Sequence, residues 1–531
     1  MKNMLRPTAA ILALLLIFGS FTACSPSQMG DLSPPEQEIE NVPSQVEVTK
    51  SPGYADDIFA LNCNVAAGFN PYSTDSSYNM ELAPLMYESL FEVNADFSYE
   101  NALCEDFSTA DGKVYRFDVK KGVKFHDGSE LTAADVAYSL ELARVSANYA
   151  SRLGIITAAY VLEESVFVEL NRINFNFPLL LDVPIVKADS GEEAVPIGTG
   201  PYMFTDVGDY FYLKAFAEHR DFGELPAERI YLKEYDGGAL ITAFDSGLID
   251  FVTTSEADIN YLEYSGNTEQ RHRDTTVLYF LGINRSNAFL GDINRRQLFS
   301  SMVDRRLLAE DIITAEQTTI PLHPNAYFSS ADYDGFTIAP QDIEDAKIQF
   351  LVEDYDRDGM LEYLDLEENS VEEIGLSLLV NKENPAKVKM ARAIRDCLGE
   401  RGIAVEVRQL NWDGYVRALK NGEYDIFLGE VKLTADFDLT QLLSYGGSAN
   451  YGVYDAQLQT LIYDFNASAE EGKREAAAQL YSYIAEHLPI ISLMFEIETI
   501  YTHRETVSGI APTVHNLFRD ITEWSIDAGQ K

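Results

Sequence analysis

The stretch that most limits what this chain can fold into runs from 374 to 430. "IGLSLLV" (374–380), "AKVKMARAIRDCLGER" (386–401) and "IAVEVRQL" (403–410) open an alternation of strand, helix, strand, helix, strand. Neighbouring strands joined by helices of this length require crossover connections, which is the pattern of an α/β sheet. Further helices are expected at 294–313 and 473–488, and a strand at 276–284, "TVLYFLGIN". "KVYRFDVKKGVKFHDG" (113–128) reads as a hairpin: Tyr115, Phe117 and Val119 alternate, Lys120-Lys121-Gly122 turns, and Val123 and Phe125 return. "LTAADVAYSLELAR" then starts a helix with Thr132 as N-cap and Asp135 three residues on, a variant of the capping box. A length of 531 residues exceeds one ordinary core, so two or three domains are expected.

The first residues have a different character. The apolar run from Ala9 to Ala23 follows Lys2 and Arg6 and is shorter than the roughly 20 residues that cross a bilayer as a helix. It ends in "FTAC" and turns at once into Ser, Pro and Gln. Residues 25–53 are rich in Pro, Ser and Glu, so they bury too little apolar surface to offset their ordering entropy and should form an extended tether. Globular composition begins near Tyr54. No later apolar run is long enough to span a membrane.

The net charge of −45 disfavours nucleic acid and anionic lipid surfaces; a well-hydrated exterior accounts for most of it, attraction of cationic ligands being the other reading. Four cysteines contain no C-x-x-C pair. A Cys63–Cys104 bridge is compatible with the sequence, and buried inert thiols for Cys63, Cys104 and Cys397 are the favoured reading. There is no G-x-S-x-G elbow, Ser-x-x-Lys, H-E-x-x-H or Walker loop, and the seven histidines form no i, i+4 pair. No enzyme activity is expected. One metal-like stretch stands out, "DYDRDGMLEYLD" (354–365): Asp354, Asp356, Asp358 and Gly359 match the start of a calcium loop, and Asp365 stands at its terminal ligand position. A tight turn capped by the same Asp and Gly residues is the simpler reading, and otherwise no cofactor is expected.

Three stretches, taken in order, resemble the extracytoplasmic solute-binding proteins of the peptide- and nickel-type ABC importers (bacterial family 5). They are 70–144 with "NPYSTD", "YESL", "GVKFHDG" and "LTAADV"; "PIGTGPYMFTD" (196–206); and "LYFLGINRSN…INRRQLFSSMVDRRLLAEDII" (278–313). "FTAC" likewise resembles a lipoprotein lipobox, which implies a mature start at a lipidated Cys24 and anchoring on the outer face of the cytoplasmic membrane. The family likeness implies a two-lobed periplasmic-binding-protein-like α/β fold (type II, cluster C) with an additional domain in the first lobe. The implied division is a signal peptide at 1–23, a lipidated tether at 24–53, lobe I at 54–85, 195–280 and 490–531, its added domain at 86–194, and lobe II at 281–489. Gly198 and Gly200 then read as scaffold that permits tight backbone geometry.

The implied function is a monomeric receptor that closes on a peptide-like solute and hands it to an ABC permease with its ATPase subunits. Alternatives are a nickel chelate, haem or sugar ligand, or a sensor or surface interaction lipoprotein with the same fold. In peptide-binding members a second-lobe carboxylate meets the peptide ammonium. The corresponding stretch here is "DIFLGEVKLTADFDLTQLL" (425–443), where Asp436 or Asp438 can be matched with Glu430 nearby, although the family's tryptophan and Asp-Pro are absent. For Asp436 a helix cap or surface charge is an equal reading. Tyr149 in "SANYASRL", Asn284, Asn450, Tyr451 and Trp412 fall in segments that the resemblance places near the cleft, with core or turn roles as the alternative.

Overall fold

The 374–430 alternation forms as expected in a computed structural model of the chain. Strands Gly375–Asn381, Ala404–Leu410 and Ile426–Lys432 are joined by helices Pro385–Glu400 and Trp412–Asn421. The ladder is parallel, with Leu378 opposite both Val407 and Ile426. Asn384 caps the first helix by accepting from Lys387 N at 3.0 Å, and Val388, Ala391, Ile394 and Leu398 bury its inner face. Asn411 caps the second, which ends on Gly422 at φ 69°.

The structure describes residues 58–254, 267–334, 337–366 and 368–528, all within one unit that spans 55–531. Cys24, the leader and the tether lie outside the described residues. Among those residues no helix is long and apolar enough to cross a membrane.

The crossover strands belong to a seven-stranded sheet. Its order is Phe251–Thr254, Ile490–His503, Thr268–Ile283, Ile426–Lys432, Gly375–Asn381 and Ala404–Leu410, with Ala315–Gln317 also on Ile490–His503. The two longest strands, Thr268–Ile283 and Ile490–His503, pair antiparallel from Thr268–His503 to Gly282–Ile490. Their register breaks between Asp274 and Leu278, where Thr275, Thr276 and Val277 face Glu496. Extra residues on one strand bend and twist it. Near the end before the break, Tyr501 packs with Leu240, Phe244 and Val252; after it, Leu281 and Ile491 pack with Leu378, Ile394 and Ile426. One strand pair thus links two separately cored regions.

Two four-stranded sheets share another core. One orders Ala60–Asn62, Arg229–Lys233, Phe211–Ala215 and Tyr202–Asp206; the other orders Cys104–Thr109, Val114–Val119, Ser165–Leu170 and Ile156–Leu162. Phe91, Tyr115, Phe117, Val168, Tyr202, Leu213 and Trp524 are buried together.

Three local expectations meet a different outcome or a sharper one. Val114–Val119 does not turn back onto Val123 and Phe125. Its edges are taken by Cys104–Thr109 and Ser165–Leu170, and Phe125 is buried in the core while His126 N donates to Gly198 O at 2.9 Å. The 294–313 helix is two helices, Ile293–Met302 and Arg305–Asp311, because Val303 is extended and Asp304 caps a new start by accepting from Leu307 N at 3.1 Å. Cys63 and Cys104 are unbridged and buried, and burial pushes both thiols up to about 12.

The capping box is present: Thr132 N and Oγ1 both donate to Asp135 Oδ2, at 2.9 and 2.6 Å. Gly200 N donates to Met86 O at 2.9 Å, and a Cβ on Gly198 would collide with that same carbonyl. Gly198→Ala should therefore lower unfolding stability by about 1–3 kcal/mol, read from the urea midpoint, because backbone rather than a movable side chain must give way.

Candidate functional site

A cavity of about 740 Å³ lies at the bend of the two linking strands. One wall is the helix Ser77–Met86 (Met80, Glu81, Pro84) with Asn148, Tyr149, Arg152 and Asp182. The floor is Arg273 and Thr275–Val277 from one linking strand and Glu496 and Glu498 from the other. The end of the crossover sheet contributes Lys432, Leu433 and Thr434, and the C-terminal segment contributes His515 and Phe518. The sequence segments meeting here are hundreds of residues apart.

Charge is arranged in clusters around this space. Arg152 Nη1 donates to Asp182 Oδ1 at 2.6 Å, and His515 Nδ1 meets the other carboxylate oxygen. Burial opposes ionisation of Asp182, yet Arg152 and His515 hold it well below the usual carboxylate range. Burial pushes His515 down against the pull of Asp182. Arg273 sits between two carboxylates, bonding Glu81 Oε1 at 2.8 Å and Glu498. Burial outweighs the guanidinium at Glu81 and, with the Glu498 charge, pushes its carboxyl up to about 7. At the rim, Arg220 Nη2 lies 2.5 Å from Glu88, whose carboxyl His219 and Arg220 hold low despite its burial.

Of the residues singled out from the sequence, Tyr149 lines the cavity, with the Arg152 guanidinium 5.3 Å from its ring centre. The other seven do not. Asp436 is sealed inside the protein: Asn174 Nδ2 donates to it at 2.8 Å and Thr434 Oγ1 at 2.5 Å. The nearby ammonium is internal, that of Lys473, which is 0% exposed and donates to Phe465 O at 3.1 Å. Burial pushes this lysine down to about 7 against the pull of Asp436 and Asp438. Asp438 pairs with Arg172 at 2.7 Å and accepts from Asn466. Glu430 pairs with Lys387 at 2.8 Å. Asn284 and Asn450 tie turns, donating to Tyr424 O and Ser444 O. The Tyr451 ring packs on Phe427, and Trp412 is 54% exposed at a helix start, stacked on Tyr415.

Sequence reasoning missed Glu81, Arg152, Asp182, Arg273, Lys432, Glu498 and His515. Arg152 and Lys432 sit inside stretches already singled out, three residues past Tyr149 and four before Asp436. Arg273 and Glu498 are cross-strand partners 225 residues apart, so no local signal joins them.

Away from the cavity, "DYDRDGMLEYLD" folds into a turn. Asp354 accepts from Asp358 N and Gly359 N, each at 3.0 Å. Asp354, Asp356, Asp358 and Glu362 converge, whereas Asp365 faces away to accept from Glu368 N. The fourth carboxylate is Glu362, because a strand begins there and carries Asp365 into pairing with Ser370.

Two outcomes follow from this geometry. Asn174→Ala leaves a buried carboxylate short of a donor and should cost about 1–3 kcal/mol in chemical denaturation. Glu81 holds its proton above its ordinary value of 4.5, so the unfolded chain releases its proton first and stability falls as pH rises from 4.5 to about 7. Glu81→Gln should flatten that part of the melting profile, by at most about 3 kcal/mol.

Residues 98–452 match the family described as "Bacterial extracellular solute-binding proteins, family 5 Middle". The oligopeptide-binding protein AppA of Bacillus subtilis (strain 168) is 23% identical over 464 residues, covering 80% of this chain and 83% of that protein. Its crystal structure in complex with a nonapeptide superposes with a TM-score of 0.60 at 20% identity, covering 88% of this chain and 98% of that one. The nickel ABC transporter structure from Bacillus halodurans gives a TM-score of 0.74 at 18% identity, covering 87% and 98%. The fold is therefore the two-lobed α/β fold of these neighbours. With two thirds of its length matched and the cavity at the lobe junction, this chain belongs to the family 5 extracellular solute-binding proteins.

Proposed function

We propose that this chain is the receptor of an ABC importer, taking a peptide-sized solute into the cavity between its lobes and presenting it to a permease when the lobes are closed. One observation carries the reading: the cavity sits where both linking strands break register, so rotation about that bend changes the distance between its walls. Its volume of about 740 Å³ falls in the range of small-molecule sites, and its wall offers both signs of charge, as a zwitterionic peptide requires. Relatives named for oligopeptides and for nickel support a peptide or a small chelate as cargo. The division in this reading places lobe II between about 281 and 489, with the rest of the globular chain as lobe I and its added domain; one core lies wholly outside 281–489, while a second is shared, with Val93, Phe97 and Leu179 packed among Phe437, Leu458 and Tyr481. Lipidation of Cys24 would tether this monomeric receptor outside the cytoplasmic membrane.

The test is to denature the full-length protein purified in detergent and identify released small molecules by mass spectrometry. Adding the released solute back should shrink the radius of gyration in small-angle scattering. Asp436→Asn should leave affinity for that solute within twofold while lowering stability, since Asp436 faces Asn174 rather than the cavity. An empty protein whose dimensions no peptide or chelate alters would refute the receptor reading.

A further inference from the structure

The stretch expected to offer a carboxylate to the ligand offers an ammonium instead. Of "EVKLTADFD", the cavity is lined by Lys432, Leu433 and Thr434, while Asp436 and Asp438 turn inward to Asn174 and Arg172. Lys432 ends the strand Ile426–Lys432 and lies across from Val277, at the register break where the linking strands bend.

The guanidiniums beside it are already paired. Arg152 is matched by Asp182, and Arg273 by Glu81 and Glu498. Among the described residues the Lys432 side chain has no hydrogen bond or ion pair, and it is open to the cavity. Burial, with repulsion from Arg152 and Arg273, lowers its affinity for a proton below that of an ordinary lysine, and Asp182 and Glu498 offset this only partly. An ammonium crowded by two guanidiniums whose counter-ions are already engaged is a place where an incoming anion gains, because in a closed, water-poor cleft the charge pair is screened little.

We infer that the cargo carries a carboxylate and that Lys432, at the bend between the lobes, is its counter-ion. This deepens the receptor reading and rests on it. A peptide would then lie with its carboxyl terminus against the end of the Ile426–Lys432 strand, and a polycarboxylate chelator would use the same ammonium. Because Lys432 belongs to one side of the bend and Arg152 and Arg273 to the other side and to the linking strand, an anion at this point also draws the walls together.

Calorimetric titration of the full-length protein, stripped of carried solute, with trialanine, trialanine amide and citrate separates these cases. Trialanine or citrate should bind, with trialanine amide at least tenfold weaker than trialanine if the peptide is the cargo. Lys432→Met should weaken the carboxylate-bearing probe at least tenfold without changing the melting temperature by more than a degree or two, and Lys432→Arg should restore most of the loss. Lys432→Met binding that probe as tightly as the unaltered protein, or failure of both trialanine and citrate to bind, overturns the inference. If no small molecule is released on denaturation either, the receptor reading falls with it; release of a cationic or uncharged solute overturns the inference alone.

Discussion

The antiparallel pairing of Thr268–Ile283 with Ile490–His503 holds the molecule together, and its widest break in register, at Thr275–Val277, gives the molecule a place to bend. The ladder runs unbroken from Thr268 to Asp274 and, past a second, smaller shift between Tyr279 and Phe280, from Phe280 to Gly282, while Thr275–Val277 opposite Glu496 cannot keep the pleat. The bend is not left loose. Thr275 Oγ1 donates to Glu496 O at 2.7 Å, and Leu433 N donates to Thr276 O at 2.9 Å, so the polar backbone exposed by the bulge is satisfied by neighbours. The cavity sits on this spot because a bulge re-aims side chains out of the sheet plane.

A second set of contacts ties distant segments together away from the linking strands. Phe97, at φ 59°, reaches from the Asn94–Ser98 turn to lie 5.0 Å from both Phe437 and His323. Burial of a phenylalanine side chain is worth about 1.5–3 kcal/mol, enough to offset the backbone strain of a left-handed residue at about 1–3 kcal/mol. Around it, Arg172 meets Asp438, Asn174 meets Asp436, and Phe175 N donates to Asn466 O at 3.1 Å. These groups fix 94–98 and 172–176 against 436–438, and a buried carboxylate that requires an asparagine from a distant segment tolerates few alternatives. The charged residues of the 436–438 stretch are thus devoted to holding 172–174 in place.

Inside the cavity the opposite economy applies. Arg273 between Glu81 and Glu498, and Asp182 between Arg152 and His515, are positioned groups whose partners come from different elements and hold them in one geometry before any ligand arrives. Crowding shifts these groups in opposite directions: burial and the Glu498 charge raise the Glu81 carboxyl to about 7, Arg152 and His515 hold the Asp182 carboxyl low, and burial lowers His515. Lys432 lines the same space without a side-chain ion pair among the described residues.

The amino-acid sequence by itself determined the crossover region 374–430, the Thr132–Asp135 capping box, the glycine-rich turn at 198–200 and the ordered motifs that carry the family. Each depends on periodicity or on steric limits acting within a few residues. Only the tertiary structure decided which strands flank Val114–Val119, that Asp436 faces Asn174 and Lys432 the cavity, and that Arg273 lies between Glu81 and Glu498. Strand alternation gives a side chain one of two faces but does not say what lies opposite; that is set by registers and lobe contacts formed between residues hundreds of positions apart.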